Sequence, residues 1–200
     1  MLRTFLALSA LVATAGLAHA GGSAAVVCSG DPVSGGAVPI LRVSYFTGAD
    51  AGTPGLFWLG LFSRDQTKGA ALTSSGWQTY TGGLYPFQAR YDAGFPASIT
   101  LSIPFPAGVQ TTAEYVGYSV YAGDGVYTGA MQQQVADRRA ALNAEKPDMV
   151  ASGRWNVAFD SDDSYIWALI QKDMTDNKKY GAILTIPYLN CLPPNYGSAR

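Results

Sequence analysis

The chain has 200 residues, of which 14% are charged and 48% are hydrophobic, and its formal net charge is −1. This length fits one domain or two small ones, and the composition excludes a polar, disordered chain. The low charged fraction, together with 23 glycines and 12 tyrosines, favours an all-β extracellular protein over a cytosolic helical one.

The first twenty residues predict a signal peptide, residues 1–20, rather than a structural element. Arg3 provides the positive start, residues 5–17 form an apolar run, and Ala18-His19-Ala20 has the A-x-A pattern of a cleavage site. The apolar run is too short to span a membrane, and no later segment predicts a span. We therefore expect export to the periplasm, the cell surface or the extracellular space, with residues 21–200 as one secreted domain.

Cleavage there would also remove the chain's single histidine, His19. Without a histidine, a Ser-His-Asp or Cys-His nucleophile, a histidine base and a histidine-ligated zinc site are excluded. The sequence has no G-x-S-x-G elbow, no glycine-rich phosphate loop and no dinucleotide-binding fingerprint. Two adjacent cation pairs, Arg138-Arg139 and Lys178-Lys179, fall short of a nucleic-acid-binding surface. The sequence therefore predicts a protein that is not an enzyme and has no nucleic-acid partner.

Two cysteines, Cys28 and Cys191, lie near opposite ends of the predicted domain. An even number of cysteines in an exported chain predicts a disulfide. The bond would span 163 residues, for which the loss of loop entropy in the unfolded chain corresponds to about 5 kcal/mol. The alternatives are a reactive thiol or a metal pair, but neither cysteine has a neighbouring histidine or a C-x-x-C partner. We expect a structural disulfide that joins the two ends.

Short apolar segments separated by Gly, Pro and Asp turns predict a series of strands. Residues 41–45 alternate between apolar and polar side chains, and residues 56–62 are apolar throughout, as on a strand that is buried on both faces. Further strands are predicted near residues 99–103, 115–121, 157–159, 166–170 and 183–188. This number of strands indicates a sandwich or a barrel, and the fold we predict is an antiparallel β-sandwich of the Ig-like type.

Residues 130–145 break the strand pattern because nearly all of them are good helix formers. Thr128 is available as a cap, and Pro147 is expected to end the helix. The apolar stripe of this segment consists of Met131, Val135 and Leu142. Because the stripe is thin, the pattern favours a short helix laid across an edge of the sheets over a helix that binds a partner.

The densest polar cluster is Asp160-Ser161-Asp162-Asp163-Ser164. Carboxylates are the ligands that calcium prefers, so Asp160, Asp162 and Asp163 form a candidate calcium site. The cluster is not an EF-hand, since Tyr165 and Gln171 stand where the glycine and the glutamate of that loop belong. The alternative, which we favour, is a solvated hairpin turn between two strands.

Three aromatic residues, Trp77, Tyr80 and Tyr85, lie in or beside the glycine-rich residues 76–83. Exposed Trp and Tyr are efficient contact residues for sugars and proteins, because they offer a large area at a low entropy cost. These three are therefore candidate binding residues. The alternative is that they close one end of the sandwich, as aromatic residues beside β-turns do more often.

Five segments, taken in order, resemble an accessory β-sandwich domain that recurs in bacterial surface and pilus-associated proteins. They are Leu56 to Phe62, Gly76-Trp77-Gln78, Leu84-Tyr85-Pro86-Phe87, Ile99 to Pro104, and Tyr115 to Tyr121. The similarity covers about residues 40 to 145 and rests on spacing and one tripeptide. It implies an Ig-like or fibronectin-like module, and no functional residue carries over from it.

Two classes of function remain. The favoured one is a secreted, non-catalytic binding or structural module, such as an adhesin, a pilus accessory subunit or an envelope-complex component, with a protein or glycan partner at the cell surface. The alternative is a small secreted carboxylate-dependent hydrolase or inhibitor, or a calcium-dependent glycan-binding domain. A hydrolase would need a carboxylate whose pKa is raised by burial, since no other group would titrate near neutral pH.

Overall fold

The computed structural model describes residues 21–30, 37–105, 111–156 and 161–191. The strands of this part are β1 (Gly21–Ser29), β2 (Val38–Phe46), β3 (Gly55–Phe62), β4 (Gly69–Thr73), β5 (Gly76–Thr79), β6 (Ala89–Tyr91), β7 (Ser98–Pro104), β8 (Ser119–Val126) and β9 (Tyr180–Thr185). The helices are α1 (Gly129–Ala151) and α2 (Asp162–Asp176), with short 3-10 turns at Gly48–Asp50 and Ala113–Tyr115.

Two antiparallel sheets face each other in a β-sandwich-like arrangement. One sheet has the strand order β1-β2-β7; the other has the order β5-β4-β3-β8-β9, and β6 pairs with the start of β3. Alternation along each strand sends one set of side chains into the space between the sheets. The main core residues there are Leu41, Val43, Tyr45, Phe57, Leu59, Leu61, Ile99, Ile103, Val120, Ala122 and Ile186. The predicted antiparallel sheets are therefore confirmed.

Strand β3 is buried on both faces, as its apolar sequence predicts, because α2 lies over the outer face of the larger sheet. Leu56 and Trp58 of β3 pack there against Ile170 and Met174 of α2. The helix approaches the sheet closely at β8, where a Cβ atom on Gly125 would collide with the carbonyl oxygen of Ile170. The glycine in β8 thus sets how near the helix can pack.

We expect Gly125→Ala to lower the free energy of unfolding by about 1–3 kcal/mol, since the added methyl group must displace helix backbone rather than a flexible side chain. Gly181→Ala in β9 is the matched control, because a Cβ atom there meets nothing within 4 Å. Urea denaturation of both variants measures the difference. Equal stability of the two would contradict the close approach of α2.

The prediction of a strand at residues 166–170 is wrong, because these residues belong to α2. Ser161 caps this helix by accepting a hydrogen bond from the Ser164 N–H at 3.2 Å. The buried residues Ile170 and Met174 are four positions apart, which is the spacing of a helix face. The apolar run was too short for its period to distinguish the two structures. The described part of the chain accordingly has a second helix, so the prediction of a single short helix is wrong, whereas the prediction of a mainly antiparallel β fold is not.

The predicted helix at residues 130–145 is confirmed, but it extends to Ala151 and contains Pro147. Proline removes one backbone donor and leaves the carbonyl of Asn143 without its usual partner. Both residues are exposed, so water can satisfy that carbonyl. This explains why the helix continues through Pro147.

Other strand boundaries differ from the prediction. Strand β8 begins at Ser119 rather than Tyr115, which lies in a 3-10 turn, and β9 covers Tyr180–Thr185 rather than residues 183–188. The predicted strand at residues 157–159 and the predicted signal peptide, residues 1–20, lie outside the described residues.

Cys28 and Cys191 form the predicted disulfide, with their Cα atoms 5.5 Å apart. The bond connects the end of β1 to the segment that follows β9, and it closes a separation of 163 residues. None of the helices in the described part of the chain combines the length and the apolar character needed to cross a membrane.

Candidate binding site and a buried carboxylate network

The three predicted aromatic contact residues do not form one site. Trp77 packs partly against the core between the sheets, and its indole N–H donates to the carbonyl oxygen of Pro104 at 2.9 Å. Tyr80 and Tyr85 instead lie on the outer face of the larger sheet, where their rings are 4.6 Å apart. The structure thus separates Trp77 from the other two residues.

Tyr85 is buried rather than displayed, and its backbone is hydrogen-bonded on both sides. The indole N–H groups of Trp58 and Trp167 both donate to its carbonyl oxygen, at 2.7 and 3.0 Å. Its own N–H donates to Oε1 of Gln171 at 2.7 Å. These bonds attach the loop before β6 to β3 and α2, so Tyr85 has a structural position.

Tyr80 and Tyr85 belong to a cluster of five rings in edge-on or stacked contact on the outer face. The members are Phe62, Tyr80, Tyr85, Tyr121 and Tyr180. The Tyr180 hydroxyl donates to the Tyr85 hydroxyl at 2.7 Å directly over Gly60, whose missing side chain leaves room for both groups. Burial raises the pKa of both phenols, so they stay neutral and act as a packing and hydrogen-bonding pair.

A groove of about 510 Å³ lies beside Tyr80, at the end of the sandwich where β3 ends and β4 begins. We call it the tyrosine groove. Its walls carry the rings of Tyr80, Tyr115 and Tyr118, the hydroxyl groups of Thr67, Thr79 and Thr81, and the side chain of Lys68. All these residues are partly or fully exposed, and no carboxylate is among the described residues that line the groove. Aromatic faces, hydroxyl groups and one cation are therefore available to a ligand.

Sequence reasoning found only Tyr80 of this groove. Tyr115 and Tyr118 were predicted to belong to a strand, whereas they lie in and after the 3-10 turn that precedes β8. Their rings are 5.7 Å apart and T-shaped, and both pack partly against the core between the sheets. Spacing along the chain gives no signal for this juxtaposition, because Tyr80 and Tyr115 are far apart in the sequence and meet only in the folded protein.

The predicted acidic cluster has a helical setting, so the hairpin-turn prediction is wrong. Asp162 and Asp163 lie in the first turn of α2, where carboxylates interact favourably with the helix dipole. Asp162 also pairs with Arg139 at 2.6 Å. Asp160 lies outside the described residues. Within the part of the chain that the structure describes, no group of three or more His, Cys, Asp or Glu side chains could hold a metal ion.

A second set of charged residues, buried or partly buried, lies between the sheets and α2. Asp124 of β8 is 0% exposed, and its Oδ1 accepts a hydrogen bond from the Tyr45 hydroxyl at 2.5 Å. The Lys179 ammonium lies 2.7 Å from Oδ2 of Asp50 and 2.9 Å from Oδ2 of Asp173. We call these five residues the carboxylate network. It joins both sheets, the first 3-10 turn and α2.

The pKa values of two groups in this network, Asp124 and Lys179, are raised. Burial, reinforced by the neighbouring Asp50 carboxylate, raises the pKa of Asp124 to about 7, although the Tyr45 hydrogen bond and Lys179 act in the opposite direction. Burial lowers the pKa of Lys179, but the carboxylates of Asp173 and Asp50 outweigh it, and the net shift is upward. Asp124 is thus a carboxyl group that titrates near neutral pH, the one kind of group that the sequence left open.

Sequence reasoning missed Asp124 because Ala122-Gly123-Asp124-Gly125 has the composition of a turn, whereas all four residues lie inside β8. A charged residue that directly follows an apolar alternation was the available signal.

The groove and the carboxylate network have to be interpreted from their own chemistry. In comparisons with known proteins, no family model matches this chain, and neither does any curated protein or solved structure.

Proposed function

We propose that this chain is an exported, non-catalytic carbohydrate-binding module that holds a glycan in the tyrosine groove. The observation that carries the proposal is the set of three tyrosine rings and three threonine hydroxyl groups around one open groove. Binding sites combine apolar or aromatic walls with a few polar groups that fix orientation. A sugar ring presents an apolar face of C–H groups and an edge of hydroxyl groups, which match these two kinds of wall.

The polar groups of the groove suit hydroxyl recognition. The hydroxyl groups of Thr79 and Thr81 can each donate one hydrogen bond and accept two, and the ammonium group of Lys68 can donate to ring or hydroxyl oxygens. The Thr67 hydroxyl already donates to Oδ1 of Asp65 at 2.9 Å, so it can serve a ligand only as an acceptor. Tyr80 is oriented for this role, because its hydroxyl donates to the carbonyl oxygen of Gly83 at 2.9 Å and its ring is held by Tyr85. The wall is therefore preorganised on the side of Tyr80, which limits the entropy lost on binding.

A binding role is favoured over hydrolysis by the placement of the carboxylates. A glycosidase needs two carboxyl groups on either side of the scissile bond. None of the described residues that line the groove is a carboxylate, and Asp124, which titrates near neutral pH, has no exposed surface with which to reach a substrate. These positions support a module that holds a glycan without cleaving it.

The cellular role belongs to the same proposal. The Cys28–Cys191 disulfide supports export, since such bonds persist in oxidising compartments. The resemblance of residues 40 to 145 to domains of bacterial surface and pilus-associated proteins supports an Ig-like module that acts as an adhesin or as an accessory subunit. The glycan partner would then be a component of a cell surface or of the surrounding matrix.

A glycan array followed by calorimetric titration tests the proposal. We expect a glycan to bind the wild-type protein, and Tyr118→Ala and Thr81→Val each to weaken its binding about tenfold or more. Thr81→Val should leave the melting temperature nearly unchanged, whereas Tyr118→Ala should also lower it, because that ring packs partly against the core. Tyr188→Ala is the matched control, because Tyr188 is 61% exposed and does not line the groove. The proposal fails if no glycan binds, or if the groove variants bind as the control does. Loss of a protein partner alone in these variants would instead assign the groove to protein recognition.

A further inference from the structure

We propose that Asp50 and Asp124 form a carboxyl pair that holds one proton, and that the loss of this proton loosens the junction between the two sheets and α2. The carboxylate network is separate from the tyrosine groove, so this inference stands whether or not the groove binds a glycan.

The surroundings of Asp124 favour the protonated carboxyl group. When the proton is lost, they leave a negative charge without a partner. Oδ1 accepts a hydrogen bond from the Tyr45 hydroxyl, whereas Oδ2 is buried and receives no hydrogen bond. A proton on Oδ2 converts that oxygen into a donor, and the Asp50 carboxylate, which is near enough to interact with Asp124, can accept its hydrogen bond. Without the proton, Oδ2 is a buried oxygen with negative charge that faces another carboxylate, which is costly in a poorly solvated site.

The groups that surround Asp124, directly or through Lys179, come from four elements. Tyr45 of β2 is neutral, Asp50 of the 3-10 turn and Asp173 of α2 are negative, and Lys179 of the turn between α2 and β9 is positive. Lys178, on the same turn, is exposed. With Asp124 protonated, two carboxylates surround one ammonium group; with Asp124 ionised, three carboxylates compete for it. The network therefore has too few cations to accommodate a third negative charge.

The direction of the pH effect follows from the pKa of Asp124, which is raised in the folded protein to about 7 from an ordinary value of 3.8. Between these two values the folded chain binds more protons at Asp124 than the unfolded chain does. The contribution of Asp124 to stability is therefore complete below about pH 4 and is lost as the pH rises to about 7. Above that pH the contribution no longer changes.

Through Lys179, the ionisation of Asp124 affects a backbone hydrogen bond of β8. Its ammonium group is shared with Asp173, and Oδ2 of Asp173 also accepts the backbone N–H of Val126 at 3.0 Å. An ionised Asp124 draws Lys179 away from Asp173 and leaves that carboxylate less restrained. The exchange of the Val126 amide hydrogen is consequently a local probe of the junction.

Wild-type protein and Asp124→Asn should be compared by urea denaturation and amide hydrogen exchange between pH 4 and 8. Asparagine keeps the shape, accepts from Tyr45 and offers an N–H toward Asp50. We expect the stability of the wild type relative to Asp124→Asn to fall from pH 4 to 7. We also expect the protection of Val126, corrected for intrinsic exchange, to decrease about tenfold only in the wild type.

Asp92→Asn is the matched control, because Asp92 is exposed and lies outside the network, and it should retain the wild-type profile. If Asp124→Asn does not fold, the carboxyl carbon chemical shift of Asp124 in the wild type answers the question directly. A midpoint near pH 7 supports the proton-holding pair. A midpoint near pH 4, or identical pH profiles of the wild type and Asp124→Asn, would overturn it.

Discussion

Replacing both Cys28 and Cys191 with serine is expected to lower the free energy of unfolding by about 3–5 kcal/mol. The bond restricts an unfolded chain across 163 residues, and the loss of loop entropy alone corresponds to about 5 kcal/mol. The expected value is smaller because the unfolded chain retains some structure. Hydrogen bonds keep the end of the chain in place in the folded protein. Thr112 donates to the carbonyl oxygen of Pro187 at 2.8 Å and accepts the Leu189 N–H at 2.7 Å.

Urea denaturation of the oxidised wild type, the reduced wild type and the double serine variant measures this contribution. The reduced protein and the variant should coincide, and both should have a steeper dependence on urea, because the unfolded chain without the bond exposes more surface. A loss below about 1 kcal/mol would contradict the prediction that the disulfide restricts the unfolded chain.

Trp58→Ala should destabilise the fold by about 3–5 kcal/mol, the cost of removing a large aromatic side chain from a packed core. Trp58 is fully buried beneath α2, and its indole N–H is one of the two that bind the Tyr85 carbonyl oxygen. The substitution therefore leaves a cavity under the helix and also weakens the attachment of the loop that carries Tyr80.

Thermal and urea denaturation measure this effect, with Trp155→Ala as the matched control. The Trp155 ring is partly exposed and contacts the Lys146 ammonium at 4.8 Å from its centroid, so its loss should cost less than about 1 kcal/mol. Trp58→Phe should fall between the two, because it keeps most of the packing and Trp167 still binds the carbonyl oxygen. Equal costs for Trp58→Ala and Trp155→Ala would contradict the described packing of α2.

The local sequence pattern was sufficient to predict strands whose burial is uniform along their length. The alternation at residues 41–45 and the continuous apolar run at residues 56–62 correspond to β2 and β3, since a half-buried strand and a doubly buried strand impose these patterns directly. The pattern at residues 166–170 failed because five apolar residues fit either period. Only the cap at Ser161 and the continuation to Met174 distinguish the helix.

The carboxylate network could not be predicted from sequence because its members are distant along the chain. Tyr45 and Asp124 are 79 positions apart in the sequence. Lys179 lies near them only because α2 packs across the sheet and brings the following turn to this place. The tyrosine groove has the same origin, since Tyr80 and Tyr118 meet through the packing of the loops at one end of the sandwich. Composition identified the kinds of residue that form these sites but not which of them meet.

The segment Gly123-Asp124-Gly125 has a further consequence for the pairing of β8. Gly123 and Gly125 face outward, where the backbone of α2 and of the following turn lies so close that only glycine fits. Asp124 between them faces inward, where the Tyr45 hydroxyl donates to its carboxyl group. A slip of β8 by one residue would move Asp124 onto the helix and remove the partner of Tyr45. These three residues therefore fix the register of β8, because a shift by one residue in either direction is unfavourable.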